Sequence, residues 1–177
     1  EWLGLKIKGP LGDSVEGDFT KAVEQRISVG AITTPIEADT ERFNGRQEHL
    51  ERLSQKLDIP SLIKGLEAMG LKVFVDPMHG SAAGCVGELL KDANNGLVEE
   101  IRGERDPLFG GNPPEPLAPY LRQLIKAVKE STSQGQISLG LVFDGDGDRI
   151  AAIDEKGRFC STQLLMPLLI DHLARVR

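Results

Sequence analysis

Cysteine is scarce: Cys85 and Cys160 are the only two in 177 residues, far apart and outside any Cys-x-x-Cys pattern. That pattern gives no disulfide framework and points to two reduced thiols in a cytoplasmic protein. Histidine is nearly as rare, three in all, so no His/Cys set favours zinc. Long apolar runs are missing as well. None approaches the roughly 18 residues that a membrane helix needs, and no basic stretch leads into an apolar one as in a secretory signal. Basic residues are outnumbered, 21 Lys and Arg against 27 Asp and Glu, for a net charge of −6. Phosphate backbones recruit basic surfaces, so neither nucleic acid nor a membrane is an expected partner. A starting methionine is also lacking: Glu1 leads almost at once into a strand-like run, and Leu164 to Arg177 are still helical in pattern. Domains usually end in exposed polar segments, so a piece of a longer protein is expected.

What is present suits a globular chain of one domain plus additions, or two small ones, with 40% apolar and 27% charged residues. Leu3, Leu5 and Ile7 alternate with Gly4, Lys6 and Lys8, the period of a strand with one buried face. Phe19, Ala22, Val23 and Ile27 follow at helical spacing, with Asp18 as the expected N-cap. A polar connection from Ser28 to Arg46 reads as a seam between two domains.

Beyond it, Leu50, Leu53 and Leu57 form one helical stripe, and Leu62, Ile63, Leu66 and Met69 another that Gly70 ends. Strands are expected at Leu71 to Val75, Val98 to Arg102, Leu139 to Phe143 and Ile150 to Asp154. Helices are expected from Ser81 as cap through Leu90, from Leu121 through Val128, and from about Ser161, where Pro167 kinks the helix or delays its start. Alternating strands and helices imply an α/β fold, a mostly parallel mixed sheet with helices on both faces. Ligands of such sheets gather at the carboxyl ends of the strands.

The most informative loop is Asp144-Gly145-Asp146-Gly147-Asp148-Arg149, which follows a buried strand. Three carboxylates at alternate positions repel one another unless a cation compensates, and the glycines between them let the backbone bend until the oxygens converge. Oxygen-only ligands suit a hard cation, Mg²⁺ or Ca²⁺. The competing reading is a solvated acidic turn. An EF-hand loop also opens Asp-x-Asp-x-Asp, and Glu155 falls at its twelfth position. Its sixth position requires glycine and here is Arg149, and the flanks read as strands. A three-carboxylate Mg²⁺ site at a strand end fits better.

Leu139 to Ile153 (LGLVFDGDGDRIAAI) resembles the metal-binding segment of the phosphoglucomutase/phosphomannomutase family. In the same order, Val75-Asp76-Pro77-Met78-His79-Gly80 resembles the strand–loop that opens the sheet of the family's second domain. Phe109 to Pro116 (FGGNPPEP) resembles its middle loop, and Leu3 to Pro10 the strand after the active-site serine loop of the first domain. The resemblance implies residues 1–40 as the end of domain 1 with its connection, 41–160 as domain 2 with the metal loop, and 161–177 as a helix leading towards domain 3.

It further implies a phosphoserine on domain 1 that hands its phosphoryl group to a hexose phosphate, through a hexose bisphosphate intermediate. Asp144, Asp146 and Asp148 would hold Mg²⁺. Arg149 matches the family arginine near substrate and phosphoserine, where a guanidinium suits phosphate; the alternative is a salt bridge restraining the aspartates. Lys6 matches a lysine near the reacting phosphate, a candidate general acid/base; without the resemblance it is a solvated lysine on a strand's polar face. His79 sits where a strand meets a helix N-terminus, yet a lone histidine is more often structural. Asp106 and Glu115 lie in the middle loop with no assignable role.

No Ser-His-Asn-Pro phosphoserine motif occurs in the chain, nor do the family's sugar-recognition and terminal phosphate loops. Two functions therefore compete: a portion of a working mutase, inactive by itself and completed by the remaining mutase domains, or a stand-alone metal-binding or scaffolding domain. A phosphatase using clustered aspartates is a third reading. Its nucleophilic Asp would need a Thr or apolar neighbour that this loop lacks.

Overall fold

The computed structural model describes residues 6–27, 41–93 and 96–176. The chain divides into two compact units, Glu1–Phe43 and Asn44–Arg177. In the first, helix α1 spans Gly17–Glu24, and Lys8 pairs with Ser14 in an isolated antiparallel bridge. Asp18 lies inside the first turn of α1, not at its cap; Glu16 takes that place with no side-chain hydrogen bond. Leu3 and Leu5 of the expected opening strand lie outside the described residues.

The second unit carries the sheet. Its elements in order are α2 (Gly45–Lys56), α3 (Ile59–Ala68), β1 (Lys72–Asp76), α4 (Cys85–Leu89), β2 (Val98–Glu100), α5 (Arg122–Ser133), β3 (Ser138–Phe143), β4 (Ile150–Ile153), β5 (Phe159–Cys160) and α6 (Thr162–Val176). The strands lie in the order β2-β1-β3-β4-β5. β1 is parallel to both β2 and β3, while β4 is antiparallel to β3 and to β5. β4 alone therefore runs against the other four strands, and the α/β sheet is mixed and mostly parallel.

Both faces are covered, which is why β1 reads as a continuous apolar run. On one face, Phe74, Val142 and Ile153 pack against Leu121, Leu124 and Val128 of α5 and its entry. On the other, Ile59, Ile63 and Leu90 from the α3 and α4 layer cluster with Val98. Gly140 sits opposite Phe74 in the β1–β3 register, and a Cβ there would meet Leu124 Cδ1 at 2.8 Å. The missing side chain is thus what lets α5 seat its leucine on the sheet. Leu124 is fully buried, so Leu124→Ala is expected to lower unfolding free energy by about 2–5 kcal/mol in a urea melt read by circular dichroism.

Several local expectations shift for identifiable reasons. The inward stripe of α3 is Ile59 and Ile63, buried, with Leu66 partly buried, whereas Leu62 and Met69 are exposed; Asp58 starts the helix earlier by accepting from Ser61 N at 3.1 Å. Asn44 likewise caps α2, accepting from Gln47 N at 3.1 Å, inside what reads as connection. Ser81 does not cap α4. Its amide donates to Gly145 O at 3.0 Å and the Gly84 amide to Glu100 Oε2 at 2.7 Å, so these donors serve tertiary contacts and the helix begins only at Cys85. Pro167 sits inside α6 without delaying its start. β5 has no apolar alternation to announce it; the Asp154 carboxylate builds its turn by accepting from Lys156 N at 3.0 Å and Arg158 N at 2.8 Å. No helix among the described residues is long and apolar enough to cross a membrane.

Candidate metal-loop site

Because β1, β2 and β3 are parallel, the chain leaves all three at one edge of the sheet. Three loops meet there: 77–84, 101–117 and 144–149. The last joins β3 to antiparallel β4, with Phe143 paired to Ile150 at the loop end and Gly140 to Ile153 at the far end. Asp144 N donates to Arg149 O at 3.2 Å and Gly147 N to Asp144 O at 3.1 Å, which closes the turn. Gly147 takes φ +78°, where a side chain would be strained.

This turn points Asp144 inward, 1% exposed, and leaves Asp146 and Asp148 at the surface. Carboxylate oxygens of the three all lie within 4.8 Å of one another. Hard cations contact oxygens at about 2.0–2.6 Å, so the three carboxylates are near enough to serve as a candidate ligand set for one ion. The donor set, oxygen only and three negative charges, fits Mg²⁺ by its chemistry. Glu155, the position an EF-hand would need, sits past Ile153 at the opposite end of the hairpin. The register thus removes the calcium-loop alternative.

Arg149 closes the loop on itself. Its amide donates to Asp144 Oδ1 at 3.0 Å and its Nε to Asp144 Oδ2 at 2.7 Å, while Nε stands 3.9 Å from Asp148 Oδ1. The hydrogen bond to Asp144 raises the guanidinium's pKa above its ordinary value, with smaller contributions from the charges of Asp144, Glu115 and Asp148, against desolvation. The salt bridge weighed from the sequence is therefore formed. Nearly half of the arginine side chain, 49%, is still exposed.

The other two loops hold this one. Gly145 N donates to Pro114 O at 3.0 Å, and Gly145 O accepts from Ser81 N at 3.0 Å. Glu115, without a role in the sequence, belongs to the field around Arg149. Asp106 accepts from Leu108 N at 2.8 Å and Gly110 N at 3.0 Å, shaping the middle loop; these bonds hold its carboxyl below the ordinary value. Asp76 is fully buried, paired with Arg102 through both oxygens, and accepts from Met78 N at 3.0 Å. His79 is tied to the loop after β2: its amide donates to Arg102 O at 2.8 Å and Nδ1 lies 2.9 Å from Glu104 O. A ring nitrogen against a carbonyl oxygen must carry the proton, so Nδ1 donates.

Asp144, Asp146, Asp148 and Arg149 thus come together in the Asn44–Arg177 unit, whereas Lys6 is an exposed residue of the Glu1–Phe43 unit. The residues whose part in the site sequence reasoning missed are Pro114, Glu115 and Ser81. For Pro114 and Glu115 the signal was the Pro-rich run Pro113-Pro114-Glu115-Pro116, a stiff loop in which Pro114 and Pro116 are buried.

Residues 47–157 match the alpha/beta/alpha domain II of phosphoglucomutase/phosphomannomutase. The chain belongs to that family. Relatives within it include the phosphoglucosamine mutase of Geobacillus kaustophilus, 27% identical over 96% of this chain and 36% of its own length. The phosphomannomutase/phosphoglucomutase of Pseudomonas syringae pv. tomato is 30% identical over 99% of this chain and 35% of its own. A Thermus thermophilus protein described as a phosphomannomutase superposes with a TM-score of 0.68 at 28% identity, over 84% of this chain and 32% of its own. The chain therefore spans about a third of the length of these relatives.

Proposed function

We propose that this chain supplies the cation-binding loop of a phosphohexomutase, an intramolecular phosphotransferase that interconverts hexose 1-phosphate and hexose 6-phosphate. The observation that carries the reading is the convergence of Asp144, Asp146 and Asp148 within 4.8 Å at the carboxyl edge of the sheet, with Arg149 beside them. Mg²⁺ held there would neutralise charge on a transferring phosphoryl group and fix its orientation.

The chain's own residues do the rest. Asp144, buried and already polarised by Arg149, is the fixed point of the ligand set. Asp146 and Asp148, at the surface, leave the open side towards solvent and substrate. Arg149 turns one edge to Asp144 and keeps much of its side chain exposed, which suits contact with a phosphate. Lys6 is the proposed proton-transfer residue. Its partner groups, a phosphoserine and the hexose bisphosphate intermediate, belong to the complete mutase with its remaining domains, and the cytoplasm is the expected place of action. Binding the sugar falls to those domains, so the choice among glucose, mannose and glucosamine phosphates is made outside these residues.

The test is a titration of the 177-residue chain with Mn²⁺, read by electron paramagnetic resonance. One ion should bind, weakly, because three carboxylates leave the remaining positions to water. Asp146→Asn removes a third of the ligand charge and should abolish the binding. Unchanged binding in that variant would place the cation elsewhere and defeat the reading.

A further inference from the structure

We infer that Gly80 is the positioning residue of the acidic loop: the space left by its missing side chain sets where Asp144, Asp146 and Asp148 converge. This rests on the cation reading above but names a residue outside the ligand set.

A Cβ on Gly80 would lie 2.6 Å from Gly145 O, 2.8 Å from Gly145 Cα and 2.9 Å from Pro77 O. All three are backbone atoms, which cannot swing aside as the end of a flexible side chain can. Gly80 itself lies outside the left-handed region, so its φ does not by itself demand glycine. The glycine is needed for close approach, not for φ.

The two sides of this contact differ in stiffness. Two residues before Gly80 is Met78, which is 2% exposed and tied by its amide to Asp76; Asp76 in turn is locked by Arg102. Behind Gly80 the frame is thus buried and bonded. Ahead of it stands the Asp144–Arg149 turn, with two of its three carboxylates at the surface. An added methyl group would therefore displace the turn. Carbon atoms in contact settle at about 3.5–4.0 Å, so relief of the two Gly145 contacts requires the turn to shift by roughly 1 Å, while the Pro77 O contact lies within Gly80's own loop.

Gly145 is covalently flanked by Asp144 and Asp146, and its peptide is fastened to Pro114 O and Ser81 N at 3.0 Å each. A displaced Gly145 carries its neighbouring carboxylates with it. Mg²⁺ demands near-ideal octahedral contacts at about 2.0–2.1 Å, so a shift of that size is large against the tolerance of the site.

The experiment compares the unsubstituted chain, Gly80→Ala and a control, Gly87→Ala, where a Cβ would meet nothing within 4 Å. Amide hydrogen exchange reads the loop through Gly147 N and Arg149 N, both bonded to Asp144, and the fold through Ile125 N, bonded to Leu121 O. In Gly80→Ala, the two loop amides are expected to exchange about tenfold faster while Ile125 and the control stay unchanged. Mn²⁺ affinity is expected to fall at least about tenfold in the same variant. Loop amides that exchange as before would overturn the inference, whatever the metal does. So would a joint loss of protection at Ile125, because Gly80 would then support the fold and not the loop. An unsubstituted chain that binds no Mn²⁺ would defeat the cation reading alone, and the exchange rates would still decide the role of Gly80.

Discussion

In a full-length mutase that carries this segment, Lys6→Met is expected to lower turnover on the order of 10²–10⁴-fold, the usual contribution of one positioned proton-transfer group. The residue is exposed in its own unit, so its use would come from the phosphate chemistry brought to it. Lysine offers two separable properties, a positive charge and a proton that can leave. Lys6→Arg keeps the first and withholds the second, because a guanidinium does not give up its proton in proteins. If Lys6 transfers a proton, the arginine variant should lose about as much rate as the methionine one, with KM little changed. If it only attracts phosphate, arginine should restore turnover and methionine should raise KM. A coupled assay of hexose 6-phosphate formation gives both constants. Near-normal turnover in Lys6→Met would return the residue to a solvated lysine.

How much of this was legible in the sequence differs between the sheet and the site, for physical reasons. β1 is buried on both faces, and β3 is buried on one and half-buried on the other, so each declares itself as an apolar run: Leu71 to Val75 and Leu139 to Phe143 fall within a residue of the observed strands. β5 is two residues long and half-buried, held by the Asp154 turn, and leaves no pattern to read. The three aspartates and Arg149 were legible because they lie within one loop, where local spacing and convergence are the same fact. Ser81 was legible as a capping residue type and misplaced in its role. Its amide goes to Gly145, far along the chain. Pro114 and Glu115 escaped for the same reason: their importance comes from parallel strands setting separate loops side by side. Spacing reports neighbours along the chain, and the clamp around Gly145 is made of neighbours across the sheet edge.

The 177-residue chain by itself is expected to give no interconversion of hexose 1- and 6-phosphates, even with Mg²⁺ and a hexose bisphosphate supplied. Phosphoryl transfer of this kind needs a donor, a neutralising cation and an aligned acceptor. The acidic loop accounts for the second. For the first, these residues contain no Ser-His-Asn-Pro segment to carry the phosphoserine. Alignment is the costlier absence, since holding reactants in attack geometry can supply about 7–11 kcal/mol of a barrier. That energy comes from binding the remote phosphate and the sugar, and the chain spans only about a third of the length of its mutase relatives. The measurement is 6-phosphate formation from glucose 1-phosphate and from mannose 1-phosphate, each with and without Mg²⁺. Metal-dependent turnover that vanishes in Asp146→Asn would mean that donor and alignment both reside in this chain, and would overturn the expectation. Turnover that survives Asp146→Asn would point instead to a contaminating mutase, which repurification of the Asp146→Asn preparation would remove.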